Sequence, residues 1–285
     1  MRNTKLAALA ATSLLALTTY ASAADFFVRP IHRAPALAPP AFSWTGFYVG
    51  GHFGAGWGSR EWDATSMSLP AFPPAVPLAG ADVSGATSVN GFLGGVQGGY
   101  NYQVGWAVLG VEAQWSGSNL RGHSSCFGVV QEGTGLAASG NDTCSDTVRS
   151  LGTVAARLGF STDRTMFYVK GGWGWANDRY SLHGTWLVNP IAGTVSYTYA
   201  DITDTRWGGM LGTGIEHALD GNWSVKIEYD YLDLGTKNYT FAGGFVEPGF
   251  ASAATFSTDI RQNIHLVKFG INYRFGSLAA PFVTK

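Results

Sequence analysis

Side-chain catalysis needs a nucleophile beside a base, or ligands gathered around a metal. The 285-residue chain offers six histidines and two cysteines for such work. His32 falls in a proline-rich stretch, His217 near a tight turn, His123 and His183 in or near long connections, and His265 on an apolar strand face. His52 is the one histidine turned toward an interior. No serine and acid are spaced to complete a triad with it, so its expected role is that of a hydrogen-bonded interior residue. No C-x-x-C, H-E-x-x-H or phosphate-loop spacing occurs. The reading is a protein that is not an enzyme and carries no cofactor. Charge does recur, at alternate positions of short segments. Glu112, Arg157, Lys170, Arg206, Glu216, Lys226, Glu228, Asp230, Lys268 and Arg274 all fall on the polar side of such an alternation. Six are cations and four are acids, and charges confined in a narrow interior are costly unless paired. Their chemistry is therefore expected to be mutual: a ladder of ion pairs and hydrogen bonds.

The elements that must position these charges have a period of two, which is the period of a β-strand. From Phe47 the odd positions read Phe, Val, Gly, Phe, Ala and Trp57, against Tyr48, Gly50, His52, Gly54 and Gly56. Seven further segments behave alike, starting near Phe92, Ala107, Thr153, Phe167, Trp207, Trp223 and His265. One face is apolar and the other small or polar. Short connections near 104–105, 161–164 and 219–222 alternate with long ones near 59–89, 117–148, 177–204 and 235–262. Strands of this kind joined by alternating short turns and long loops predict an eight-stranded antiparallel up-and-down transmembrane β-barrel, its long loops outside and its termini on the periplasmic side.

Composition agrees. Charged residues make up 13% and aromatics 14%, with 10 Trp and 39 Gly, whereas soluble domains carry about 25% charge. Beyond the first two dozen residues no apolar run reaches the length of a membrane helix. The alternative, a soluble lipocalin-like barrel or sandwich, would turn its charges outward. Here the polar face is mostly small residues, which suit the inside of a narrow barrel, and aromatics gather at strand ends as membrane-interface girdles. With a formal net charge of −1 and no clustered cations, nucleic acid is excluded as a partner. Residues 1–24 have the charged start, apolar run and small-residue cleavage site of a signal peptide. Residues 25–43, with four prolines, predict a flexible periplasmic lead-in. The barrel should span 44–276 and residues 277–285 form a tail. Cys126 and Cys144, in an exported chain, are expected to form one disulfide that stiffens an outer loop, two free thiols being the alternative.

The stretch Trp44-Thr45-Gly46-Phe47-Tyr48-Val49-Gly50-Gly51 resembles the W-x-G-F-Y-x-G-G opening of the small alphaproteobacterial outer-membrane β-barrel proteins, the porin-family or outer-membrane immunogenic proteins. Gly212-Thr213-Gly214-Ile215-Glu216, Trp223-Ser224-Val225-Lys226-Ile227-Glu228-Tyr229 and the closing Val267 to Phe275 extend the likeness over about 42–276. The closing segment also resembles the signal read by the barrel-assembly machinery, with Lys268, Gly270, Tyr273 and Phe275 at its marked positions. Relatives mostly stop at the final Phe, and this chain continues past it. The resemblance implies outer-membrane lipid and lipopolysaccharide as surroundings, the assembly machinery as a partner, and an extracellular ligand or host surface for the loops. It also implies the functional choices. The first is a structural, surface-presenting role on a mostly plugged barrel. The second is a narrow porin-type channel for small polar solutes or ions. The third is haem binding by the loops, with His123 or His183 as axial ligand.

Overall fold

The computed structural model describes residues 42–68, 76–77, 84–125, 137–138, 143–189, 193–199, 201–247 and 250–275. Eight long strands dominate: β1 (Gly46–Ser68), β2 (Ser84–Val104), β3 (Ala107–Ser125), β4 (Thr143–Thr162), β5 (Thr165–Asn189), β6 (Ile202–Ala218), β7 (Trp223–Glu247) and β8 (Phe250–Arg274). Each pairs antiparallel with the next, and β8 pairs back onto β1 from Tyr48↔Arg274 to Ser68↔Thr255. The ring is therefore closed. Closure leaves no edge with unpaired backbone groups, which hydrocarbon would not tolerate. A short strand, Gly193–Tyr199, bridges the outer ends of β5 and β7.

The tight connections fall at Gly105–Trp106, Asp163–Arg164 and Leu219–Asn222. Gly105, Asp163 and Gly221 have φ of 61°, 49° and 73°, the left-handed conformation that two-residue hairpin turns demand.

The apolar face points outward. Phe47, Phe53, Phe92, Val96, Leu109, Val111, Leu158, Trp173, Leu211, Ile227 and Phe269 are all exposed. On β1 this face runs from Phe47 to Trp57, a band about 25 Å tall at ordinary strand rise and tilt. Trp57, Trp115, Trp175, Trp207 and Tyr231 rim it at the end away from the tight turns.

Pairing does not stop at that rim. The connections expected near 59–89, 117–148, 177–204 and 235–262 are largely strand, since β1 runs on to Ser68, β2 begins at Ser84 and β3 reaches Ser125. Similarly, β4 begins at Thr143, β5 reaches Asn189, and β7 and β8 extend to Glu247 and from Phe250. The physical reason is a change of solvent. Beyond the rim the outside of the barrel meets water, so the outward side chains become polar and large apolar ones join the interior. On β1, even positions stay inside as far as Trp62, where Tyr48 and His52 give way to Trp62, while Glu61 and Asp63 face out. The alternation continues with its polarity reversed.

Two bulges also shift which parity faces in. Arg149 is skipped between Val148 and Ser150, so β4 buries even positions before it and odd positions after it. On β7 the register slips between Asp233 and Thr236, around Gly235 at φ 65°. Leu234 and Phe241 thereby both point inward. A glycine accommodates that left-handed backbone where a side chain would be strained.

Candidate functional site

The lumen is filled in tiers. At the end that carries the tight turns, Phe42 to Trp44 fold into the mouth. Trp44 is fully buried, its backbone N–H donates to Gln103 Oε1 at 2.7 Å, and the Phe42 ring meets it edge-on at 5.0 Å. The Arg274 guanidinium lies 4.1 Å from the Phe42 ring and 5.5 Å from the Trp44 ring, and donates to the Ser43 carbonyl. Phe42 and Ser43, expected in a flexible lead-in, are thus part of the barrel's base. Their aromatic and cation contacts fix them there.

Above the base lies the charge tier. Arg157 pairs with Glu216 at 2.9 Å and Glu112 at 3.4 Å. Lys170 contacts Glu228 at 2.8 Å, Asp230 at 3.2 Å and Glu112 at 3.3 Å. Lys226 bridges Glu112 at 2.9 Å and Glu228 at 3.1 Å, and Lys268 reaches Glu228 at 3.0 Å as well as Asp230. Tyr48 and Tyr168 donate to Glu112 and Glu228. Four cations thus meet four acids, drawn from strands β3 to β8. All ten charges read from the sequence are buried, and eight of them form this network. The other two do not join it. Arg274 serves the base, and Arg206 donates to the carbonyls of Leu234, Gly235 and Ile260, capping the β7 bulge.

His52 sits beside this network. Its Nε2 is 2.7 Å from Ser116 Oγ and its Nδ1 is 3.1 Å from Gln97 Oε1. A serine stands next to the histidine, but no acid completes a triad with it. β1 and β3 are not neighbours in the ring, so the pair meets across the lumen, where strand spacing gave no warning. The third partner is an amide rather than an acid, and all three residues are buried.

The next tier is apolar. Leu93, Leu120, Val148, Leu151, Ala176, Met210, Leu232, Leu234, Ile264 and Leu266 form one buried cluster. Gly56 and Gly174 make room for it. A Cβ at Gly56 would lie 2.8 Å from Leu266 and 3.0 Å from Leu120, and one at Gly174 would lie 2.8 Å from Leu232.

The outermost tier is one the sequence reading missed. Arg60 pairs with Asp178 at 2.6 Å and Asp146 at 3.3 Å, all fully buried. Gln262 donates to Asp178 at 3.3 Å and accepts from Tyr180 at 3.1 Å. Trp62 closes over them, edge-on to Tyr180 at 5.8 Å and stacked on Phe241 at 6.2 Å. This tier lies beyond the tryptophan rim, outside the membrane-spanning band. Burial pushes the Asp146 carboxyl up to about 6, a rise that Arg60 only partly offsets. Burial raises Asp178 as well, again against Arg60. Burial opposes the Arg60 charge, but the two carboxylates outweigh it and raise its pKa. Arg60, Asp146 and Asp178 all fell in stretches read as loop, and the surviving period of two was the signal that could have found them.

The remaining residues singled out in the sequence are placed as follows. Cys144 is buried near the outer end of β4, while Cys126 lies outside the described residues. His123 is exposed, with its Nδ1 2.9 Å from Ser145 Oγ. His183 lies on β5, and its side chain is outside the description. Of the closing segment, Lys268 is in the charge tier, Gly270 lies opposite His52, Tyr273 pairs with Val49 and Trp223, and Phe275 donates its N–H to the Phe47 carbonyl. Residues 1–41 and 276–285, where the signal peptide, most of the lead-in and the tail are expected, lie outside the described residues.

A closed ring of eight antiparallel strands, apolar outside and charge-paired within, defines a transmembrane β-barrel of the outer-membrane class. The chain belongs to the outer membrane protein beta-barrel domain family, which matches residues 7–275. It is similar to the 31 kDa outer-membrane immunogenic protein of Brucella melitensis biotype 1, with 34% identity over 283 residues, 96% of this chain and 100% of the relative. It also resembles the 22 kDa outer membrane protein of Rhizobium leguminosarum bv. viciae, with 27% identity over 236 residues, 83% of this chain and 80% of the relative. Among solved structures it matches the outer membrane protein OprG from Pseudomonas aeruginosa at 12% identity and a TM-score of 0.41, covering 81% of this chain and 97% of that one. The protein is an outer-membrane β-barrel of the immunogenic type.

Proposed function

We propose that this barrel is a shut, structural and surface-presenting protein rather than a diffusion channel. The observation that carries the reading is the apolar tier. A side-chain layer contributed by β2 to β8 fills the lumen between two charged tiers, and an ion crossing it would lose its hydration without gaining a partner. The Phe42–Trp44 cork below and the Trp62–Phe241 lid above close the same path twice more. Eight strands enclose only enough space for side chains, and here that space is used. The outer strand extensions then act as a rigid stalk for the connections they carry, since exposed loops on rigid scaffolds commonly do the binding. A Cys126–Cys144 disulfide would stiffen one of those connections. The closing strand, through Lys268, Gly270, Tyr273 and Phe275, would be the segment handed to the barrel-assembly machinery.

Planar-bilayer recording of the refolded protein tests the reading. The expected trace is flat, while a heat-modifiable gel shift shows the barrel folded. Steady ohmic conductance from the folded wild-type protein would overturn it in favour of a narrow channel for small polar solutes.

A further inference from the structure

Three arginines stand together on the outer wall just beyond the tryptophan rim. Arg121 of β3 and Arg179 of β5 are both aligned with Thr147 of β4, so they flank it in one row across three strands. Two strand spacings separate their backbones by about 10 Å, within the reach of two guanidinium forks closing on one tetrahedral anion. Arg149, the residue skipped by the β4 bulge, is exposed beside them. The neighbouring strand is irregular at the same height. β3 and β4 lose register between Gly117 and Leu120, so Ser118 and Asn119 drop out of the ladder, and the Ser118 hydroxyl donates to the Val148 carbonyl of β4 at 2.6 Å. Bulges re-aim side chains and interrupt pairing. Here two of them meet and open a groove of about 320 Å³ lined by Ser118, Asn119, Arg121, Thr147, Arg149 and Arg179.

The lining contains three guanidiniums, two hydroxyls and an amide, and no acid. Asn119 Oδ1 accepts from the Phe92 N–H at 2.8 Å, which leaves its amide N–H group as a further donor. Asp201 holds Arg179 through Nε at 3.1 Å and through Nη2. Among the described residues no carboxylate pairs with Arg121 or Arg149. One carboxylate among three guanidiniums leaves a net positive charge, and an anion seated beside Arg121 and Arg149 relieves their repulsion.

The position of the groove indicates which anion. Arg121 lies six residues along β3 from the rim residue Trp115, and Arg179 lies four along β5 from Trp175. With ordinary rise and tilt, both sit within about 15 Å of the hydrocarbon boundary, on the face that neighbouring lipids touch. We propose that this groove binds a phosphate group of the lipopolysaccharide of the outer leaflet, in its lipid A or inner-core portion. The assignment rests on the long connections facing outward. Protease access to a tag inserted at 190–192 on whole cells checks that orientation separately.

The test is native mass spectrometry of the purified barrel in detergent with bisphosphorylated lipid A, dephosphorylated lipid A, inorganic phosphate and a heparin fragment. A one-to-one adduct with bisphosphorylated lipid A is expected, and dephosphorylation should largely abolish it. Each arginine near an anionic surface is worth about fivefold in binding, so R121Q with R149Q should weaken the adduct roughly 25-fold. R164Q, at the opposite end of the barrel, should leave it unchanged. Heat-modifiable mobility confirms folding of each variant, and Arg121→Gln alone, with about a fivefold loss, serves if the double variant fails to fold. Equal binding of dephosphorylated lipid A, full binding by the folded double variant, an equal affinity for inorganic phosphate, or binding of heparin without lipid A would each overturn the proposal.

Discussion

Glu228 accepts hydrogen bonds from Tyr168, Lys170, Gln114 and Lys226, and Lys268 stands 3.0 Å away. Its charge offsets a share of three lysines. Glu228→Gln keeps the shape and removes that charge. Breaking one partner of a buried ionic cluster costs about 3–5 kcal/mol, so urea unfolding in lipid vesicles should show a loss of that size. A loss below about 1 kcal/mol would mean that water enters the tier. The outer tier is not balanced in this way, with two acids to one cation. An Asp146 carboxyl raised to about 6 binds its proton more tightly when folded than when unfolded. Stability should therefore fall as pH rises from about 4 to 6, where only the unfolded chain has given up the proton, and then level off. Asp146→Asn should flatten that slope, and protease resistance of the outer extension, followed against pH, reads it. The inner charges were legible because each sits opposite an apolar lipid-facing neighbour. Arg60, Asp146 and Asp178 were not, because their outward neighbours are polar and the contrast that marks a membrane strand is gone.

The same change of solvent governs what each strand reveals. Inside the membrane band the eight segments could be counted from sequence, because lipid on one side and a polar lumen on the other impose a strict alternation. Past the rim water lies outside, the alternation inverts, and the strands read as loop. The bulges at Arg149 and Gly235 then shift its phase without any strong residue signature beyond one glycine. Which face meets lipid is testable on a single strand. Leu211, exposed at the middle of β6, faces the centre of the band, whereas Leu219 lies at the tight turn after β6. A lipid-facing arginine costs about 2–4 kcal/mol at the midplane and about 0–1 near the interface. Leu211→Arg should show the larger penalty and Leu219→Arg the smaller, measured as folding equilibria in vesicles. Equal penalties would place the band elsewhere on the strand.

For the whole molecule, the proposed shut barrel makes the lumen a set of barriers in series, its conductance set by whichever barrier remains. Phe42 and Trp44 close the base, the Leu120–Leu232–Leu266 tier closes the middle, and Trp62 with Phe241 closes the outer end. Removing one barrier leaves two. Phe42→Ala with Trp44→Ala should therefore stay silent in planar bilayers, as should Leu120→Ser with Leu232→Ser. Each large-to-small change in a packed interior costs about 2–5 kcal/mol, so heat-modifiable mobility must show that the variants still fold. Current should appear only when cork, tier and lid (through Trp62→Ala) are opened together, and it should favour neither sign strongly, because the charge tier balances four cations with four acids. Steady current after removal of the cork alone would show that the apolar tier leaks and that the cork is the only gate. That outcome would make the Phe42–Trp44 contact, rather than the apolar tier, the element that controls passage.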